Sequence, residues 1–175
     1  MLLRAPTDPL HLPAYRTGAA VLFVAVAVIL AALAFQYCGG YIPCPLCLQQ
    51  RYAYYAAIPL LFLALVLIAA DRHALAGALF LLVAVAFLAN AGLGVYHSGV
   101  EWKLWAGPDT CASTQALGVG KGGLLEQLEN SRAVRCDEAQ WRMLGLSFAG
   151  WNVLISSLLC FGAAAAALDA WRRPG

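Results

Sequence analysis

Four long apolar stretches, at about residues 17–37, 48–70, 74–96 and 146–169, decide what this chain can become. Each is long enough to cross a hydrocarbon core as a helix, which takes ~20 apolar residues. Backbone polar groups find no water there, so a helix that bonds its own N–H and C=O groups is the natural solution. The expectation is an all-α membrane protein, a bundle of four transmembrane helices forming one domain over residues 1–175. Composition agrees: 62% of residues are hydrophobic and 11% charged, against roughly 25% charged in soluble domains. The net charge of +2, with no basic run, gives no support for nucleic-acid binding.

Only Asp71, Arg72 and His73 separate the second and third stretches, so those helices must form a tight antiparallel hairpin. Four crossings place both termini on one side. The short loop, about 38–47, and the long segment, about 97–145, share the other. Arg4, Arg16, Arg72, Arg172 and Arg173 flank the terminal side, whereas residues 38–50 carry no Lys or Arg. Lys and Arg in short flanks mark the cytoplasmic face. In the long loop Lys103, Lys121, Arg132, Arg135 and Arg142 are offset by six carboxylates. Both termini are therefore read as cytoplasmic, with the loop cysteines outside, where disulfides persist. A competing reading is a cleavable signal peptide ending at Ala32-Leu33-Ala34. The apolar run is long for one and continues through Phe35.

Two of the six cysteines, Cys44 and Cys47, lie in the short loop, between Pro43 and Leu48 and with Pro45 and Leu46 between them. A disulfide spanning so few residues constrains the unfolded chain by only about 2 kcal/mol, so the pair reads as a redox couple and not a staple. The prolines stiffen the turn that feeds the second helix. At or just before that helix start, Cys47 has unpaired N–H groups and the macrodipole to favour its thiolate. Arg51, four residues on, faces the same side of a helix. Its guanidinium could stabilise the thiolate and polarise an electron-accepting carbonyl, or simply anchor lipid phosphate.

Cys111 and Cys136 lie in the long loop among polar neighbours. A bridge between them would close a loop worth about 3.5 kcal/mol on the chain-entropy account, which a structural disulfide also explains. Zinc held by these four cysteines is a further reading, weakened by the wide spacing of the second pair. Cys38 and Cys160 read as small buried hydrophobes. Tyr52, Tyr54 and Tyr55 suit an interfacial aromatic belt, and Asn90 suits a hydrogen bond between helices. Residues 124–129 fit a short amphipathic helix, on the membrane surface or packed on its own loop.

The stretch from Pro43 to Arg51 (PCPLCLQQR) resembles the first outer loop of the disulfide bond formation protein B family, DsbB. Tyr96-His97, Cys111, and the segment Cys136, Gln140-Trp141, Leu144-Gly145-Leu146 resemble its second outer loop and the approach to its fourth helix. The resemblance implies a quinone-dependent protein-disulfide oxidoreductase of the bacterial inner membrane, with periplasmic redox loops. It would re-oxidise a soluble DsbA-like thioredoxin-fold dithiol oxidase and pass the electrons to ubiquinone or menaquinone. That quinone-linked route is a general feature of the oxidising periplasm. Carried over, Cys111 receives the partner's thiolate, Cys136 attacks Cys44, and freed Cys47 contacts the quinone. Arg51 and His97 would lie at the quinone site, and no metal is implied. Pro45 departs from the apolar residue, such as Val, usual at this place in the family.

Two other readings stay open at this stage. One is a non-enzymatic four-helix assembly or interaction protein with a structural ectoloop disulfide. The other is an oxidoreductase that delivers reductant outward.

Overall fold

The computed structural model describes residues 12–108 and 136–172. Cys111, the flanking Arg4 and Arg173, and the amphipathic segment 124–129 lie outside the described residues. Among the described residues four helices are long and apolar enough to span a membrane: α1 (Pro13–Tyr37), α2 (Pro45–Ala69), α3 (His73–Glu101) and α4 (Phe148–Trp171). The protein is an integral membrane protein. Each helix packs on its chain neighbour, α3 on α4 across the long loop included, and α1 also packs on α4. The bundle is thus a closed ring, α1–α2–α3–α4, with α3 and α4 in the most extensive contact.

The hairpin between α2 and α3 closes as a Schellman motif. Arg72 N–H donates to Leu67 C=O and Asp71 N–H to Ile68 C=O, with Asp71 left-handed at φ 57. An Asp tolerates that conformation better than most residues with a side chain. Before α4, the strands β1 (Arg142–Met143) and β2 (Leu146–Ser147) form a minimal antiparallel hairpin. Its turn residues Leu144 and Gly145 both have positive φ, 53 and 82, as the tightest hairpin turns require.

Large apolar side chains such as Phe23, Phe62, Leu88 and Phe161 point outward, which suits lipid tails. The interior instead holds fully buried Phe80, Phe87, Leu61 and Leu159 among many alanines. Small residues let the helices approach closely, which matters in lipid, where there is little hydrophobic drive between helices. At Gly94 a Cβ would lie 2.8 Å from Val153 Cγ2 and 3.4 Å from Ala149 O on α4. Gly94→Val should destabilise the bundle by about 1–3 kcal/mol through overpacking. A lowered melting temperature in detergent would register this, and an unchanged one would mean the α3–α4 contact has slack.

A polar cluster ties three helices together. The Tyr54 hydroxyl donates to Asn152 Oδ1 at 2.9 Å, and Asn90 Nδ2 donates to Ser156 Oγ at 2.9 Å. Asn90 therefore bonds across helices as expected. Tyr54 is 3% exposed and belongs to this interior cluster, while Tyr52 and Tyr55 face outward. The expected aromatic belt is wrong for Tyr54, which faces the bundle interior. Cys38 corrects another expectation: it caps the C-terminus of α1 and is exposed.

Candidate redox site

Helix α2 starts three residues before the expected residue 48, which makes Cys44 its N-cap. Cys44 is extended, φ −73 and ψ 164, and its Sγ accepts from the Cys47 backbone N–H at 3.2 Å. Sulfur thus fills the capping role usually taken by Ser, Thr, Asp or Asn. Pro45 falls at N1, where the missing N–H would have had no intrahelical partner and φ is already helical. Pro45 therefore stiffens the turn without removing a hydrogen bond.

Both cysteines of the pair carry free thiols. Cys44 is held far above the ordinary thiol range, chiefly by its hydrogen bond to the Cys47 side chain and then by burial. Its proton is retained, beside a Cys47 that sits within the first helical turn. Because burial and its hydrogen bond keep Cys44 protonated, alkylation of Cys44 in the reduced protein should need a pH well above the ordinary thiol range. In Cys47→Ala the midpoint for Cys44 should move down, as its hydrogen-bond partner is gone. Mass spectrometry across pH checks this, and identical Cys44 midpoints in the two proteins would contradict it.

The second loop returns to the same place. Cys136 is 1% exposed and shares one buried apolar cluster with Cys44, Leu46 and Val100, against which Cys47 and Leu93 pack. It is disulfide-bonded, and since Cys38, Cys44, Cys47 and Cys160 are free thiols, its partner is none of these. A zinc site built from all four loop cysteines is thereby overturned, because Cys136 is already committed. Gln140 Nε2 donates to Ile42 C=O at 2.9 Å and so stitches the second loop to the first.

Helix α3 runs to Glu101, so His97 sits on a helix and not at the start of a loop. The imidazole is 2% exposed, with Nε2 3.7 Å from Cys44 Sγ and Nδ1 2.9 Å from Gln50 Nε2. It also hydrogen-bonds to the main chain of Cys136. His97 therefore touches both redox loops at once. Glu101 Oε1 lies 3.9 Å from His97 Nε2, and its other oxygen is buried with no hydrogen-bond partner among the described residues.

Beside these groups lies a cavity of about 340 Å³, in the size range of small-molecule sites. Cys44, Cys47, Arg51, His97 and Glu101 line it, together with Tyr54 and Asn152 of the polar cluster. Its remaining wall is mainly apolar, from Val28 and Ile29 up to Phe35, Trp141 and Phe148. Trp141 stacks on Phe148 with centroids 4.8 Å apart, and Phe35 meets both rings. Arg51 Nη1 donates to Gln36 Oε1 at 2.5 Å, and Nη2 to Ala32 C=O at 3.4 Å. Both partners are neutral, so the guanidinium keeps its charge for whatever enters the cavity.

Cys44, Cys47, Arg51, His97 and Cys136 thus converge on one end of the bundle, and Cys111 lies outside the described residues. Neither Cys38 nor Cys160 lines the cavity. Gln36, Gln50, Glu101 and Asn152 are site residues that the motif reading passed over. Their signal was present: polar side chains in apolar spans face the interior or a cavity.

The family model described as "Disulfide bond formation protein DsbB" matches residues 15–166. A "Disulfide bond formation protein B" from Methylococcus capsulatus is 32% identical over 174 residues, covering 91% of this chain and 96% of that one. One of the same description from Verminephrobacter eiseniae is 31% identical over 155 residues, covering 82% of this chain and 80% of its own. An "Uncharacterized protein RP370" from Rickettsia prowazekii is 23% identical over 143 residues, 79% of this chain and 80% of that protein. No solved structure is a significant match.

Proposed function

Because the chain belongs to the DsbB family of disulfide bond formation proteins, we propose that it is a membrane thiol oxidase linking a soluble periplasmic dithiol to membrane quinone. The donor is a DsbA-like thioredoxin-fold oxidase in its reduced state. The termini are cytoplasmic and the redox end periplasmic, in keeping with Arg16, Arg72 and Arg172 at the other end of the bundle. The observation that carries this reading is the convergence of Cys44, Cys47 and Cys136 beside an apolar cavity that holds Arg51.

The donor's thiolate attacks Cys111 of a Cys111–Cys136 disulfide, forming a mixed disulfide and releasing the Cys136 thiolate. The donor's second thiol then resolves the mixed disulfide and leaves oxidised. Cys136 attacks Cys44 of an oxidised Cys44–Cys47 pair and expels Cys47 as thiolate, the better leaving sulfur because it sits in the first turn of α2, where the helix dipole favours an anion. Cys111 next displaces Cys44, so the outer disulfide reforms and both electrons rest on the inner pair. That distribution matches free Cys44 and Cys47 beside a disulfide-bonded Cys136.

The size and apolar lining of the cavity suit a quinone, which Arg51 and Cys47 would hold. When bound, a quinone supplies an acceptor for two electrons and two protons. His97 holds Cys44 and the Cys136 main chain in register, and Arg51 offsets negative charge at the cavity. Two protons leave the thiols as the inner disulfide reforms, so the reaction is balanced in protons.

Purified protein in lipid, mixed with a reduced thioredoxin-fold dithiol and quinone, should consume one quinone per dithiol oxidised. Dithiol oxidation without quinone consumption would end this reading. A donor that lacks its second thiol should instead accumulate as a mixed disulfide at Cys111, with the Cys136 thiol released, visible as a reductant-sensitive adduct on a gel. A partner adduct at Cys44 in its place would reverse the assigned order.

A further inference from the structure

We propose that the reduced inner pair and His97 together form a three-ligand site for a thiophilic divalent metal ion such as zinc. Cys44 Sγ, Cys47 Sγ and a His97 ring nitrogen all lie within 4.8 Å of one another. The Cys44 Sγ to His97 Nε2 separation is 3.7 Å. Zinc bonds of about 2.3 Å to sulfur and about 2.0 Å to nitrogen give a tetrahedral edge of about 3.5 Å, so Cys44 and His97 need approach by only tenths of an ångström and Cys47 by up to about 1 Å. The ion replaces the two thiol protons, which leave to solvent, and no electron changes hands.

The surroundings suit a metal as well as a dithiol. The Cys47 backbone N–H already points at Cys44 Sγ and would stabilise it as a thiolate ligand. Gln50 bonds Nδ1 of His97 and can turn its carbonyl to accept from Nδ1–H, which frees Nε2 to ligate. Metal-bound imidazoles are held by such outer contacts. Cys44, Cys47 and His97 all line the cavity, as does Glu101, whose carboxylate could approach an ion held there. The site exists only while the inner pair is reduced, since a Cys44–Cys47 disulfide has no thiolate to offer. An ion bound there occupies both thiols and arrests the protein in its electron-loaded state. This inference rests on the arrangement of the three side chains and is independent of whether the acceptor is a quinone.

The test uses the full chain in lipid nanodiscs with Cys38→Ala and Cys160→Ala, so that Cys44 and Cys47 are the free thiols. Zinc is titrated against a chromophoric chelator, and cobalt is added separately to read thiolate-to-metal absorption. One ion per chain should bind the reduced protein and none the oxidised protein, with binding lost in Cys44→Ser. Losing even an outer-shell partner costs roughly 10–100-fold in metal affinity, so His97→Gln should weaken binding at least about tenfold. The cobalt spectrum of the unmutated site should report a tetrahedral ion with two sulfur ligands and a nitrogen. Absence of binding to the reduced protein, undiminished affinity in His97→Gln, or a spectrum without nitrogen would each overturn the site. Quinone consumption is not read here, so failure of this test leaves the oxidase reading standing, and the reverse.

Discussion

Cys44→Ser is expected to abolish turnover while leaving the protein as stable as before. The two halves of that outcome come from separate physical roles of one atom. As N-cap, Cys44 offers Sγ to the Cys47 N–H at 3.2 Å, and serine performs the same task with a better acceptor. The start of α2 should therefore hold, and the melting temperature should be unchanged or slightly raised. As a redox atom, sulfur has no substitute: serine cannot enter a disulfide, so the electron pair has no route from the outer cysteines to the cavity. Removing a nucleophile from hydrolytic enzymes costs up to about 10⁶ in rate, and a loss on the order of 10³ or more is expected here. The measurement is quinone consumption with a reduced thioredoxin-fold donor, alongside thermal unfolding in detergent. A non-enzymatic assembly protein would be indifferent to this change, so retained function with Cys44→Ser would favour that reading instead.

Arg51→Ala should lower kcat/KM for quinone by about 10²-fold, the size of effect seen when one donor to a developing oxyanion is removed. Arg51 reaches across to α1, where Gln36 Oε1 and Ala32 C=O fix its planar fork. That anchoring sets its position before any ligand arrives, so little ordering cost remains at the moment of reaction. Arg51→Lys should recover only part of the loss, because an ammonium keeps the charge but not the fork. The single-turnover reaction of the donor with the outer disulfide should be unaffected in both variants, since Arg51 lines the inner cavity. Unchanged quinone kinetics in Arg51→Ala would remove it from the site, and an equal loss in donor oxidation would point to a general collapse of the loop end.

The parts of the site legible in the primary structure were those that are local in sequence. A Cys-Pro-Leu-Cys turn followed by Arg51 is a short-range arrangement, and its chemistry follows from spacing on one helix end. The burial assignments were harder for a reason specific to lipid. In water an amphipathic stripe separates core from surface, but here both the interior and the lipid face are apolar. Tyr54 and Tyr55 therefore look alike in sequence, although one bonds Asn152 in the bundle and the other faces outward. Cys38, read as buried, is exposed for the same want of contrast. Glu101 and Gln50 were passed over because their importance depends on His97, which is 47 residues from Gln50.

Apolar length alone was enough to specify four helices and a membrane, since the cost of unsatisfied backbone in hydrocarbon leaves a chain little choice. The order of the helices around the ring, and hence which loops meet, was decided only by packing. Close approach of α3 to α4 at Gly94, with α1 against both α2 and α4, brings His97 between Cys44 and the Cys136 main chain. A redox pair can be written into nine consecutive residues. The cavity beside it, and the second cysteine that must reach it, exist only where four helix ends and two loops converge, and such contacts are set by shape and not by spacing.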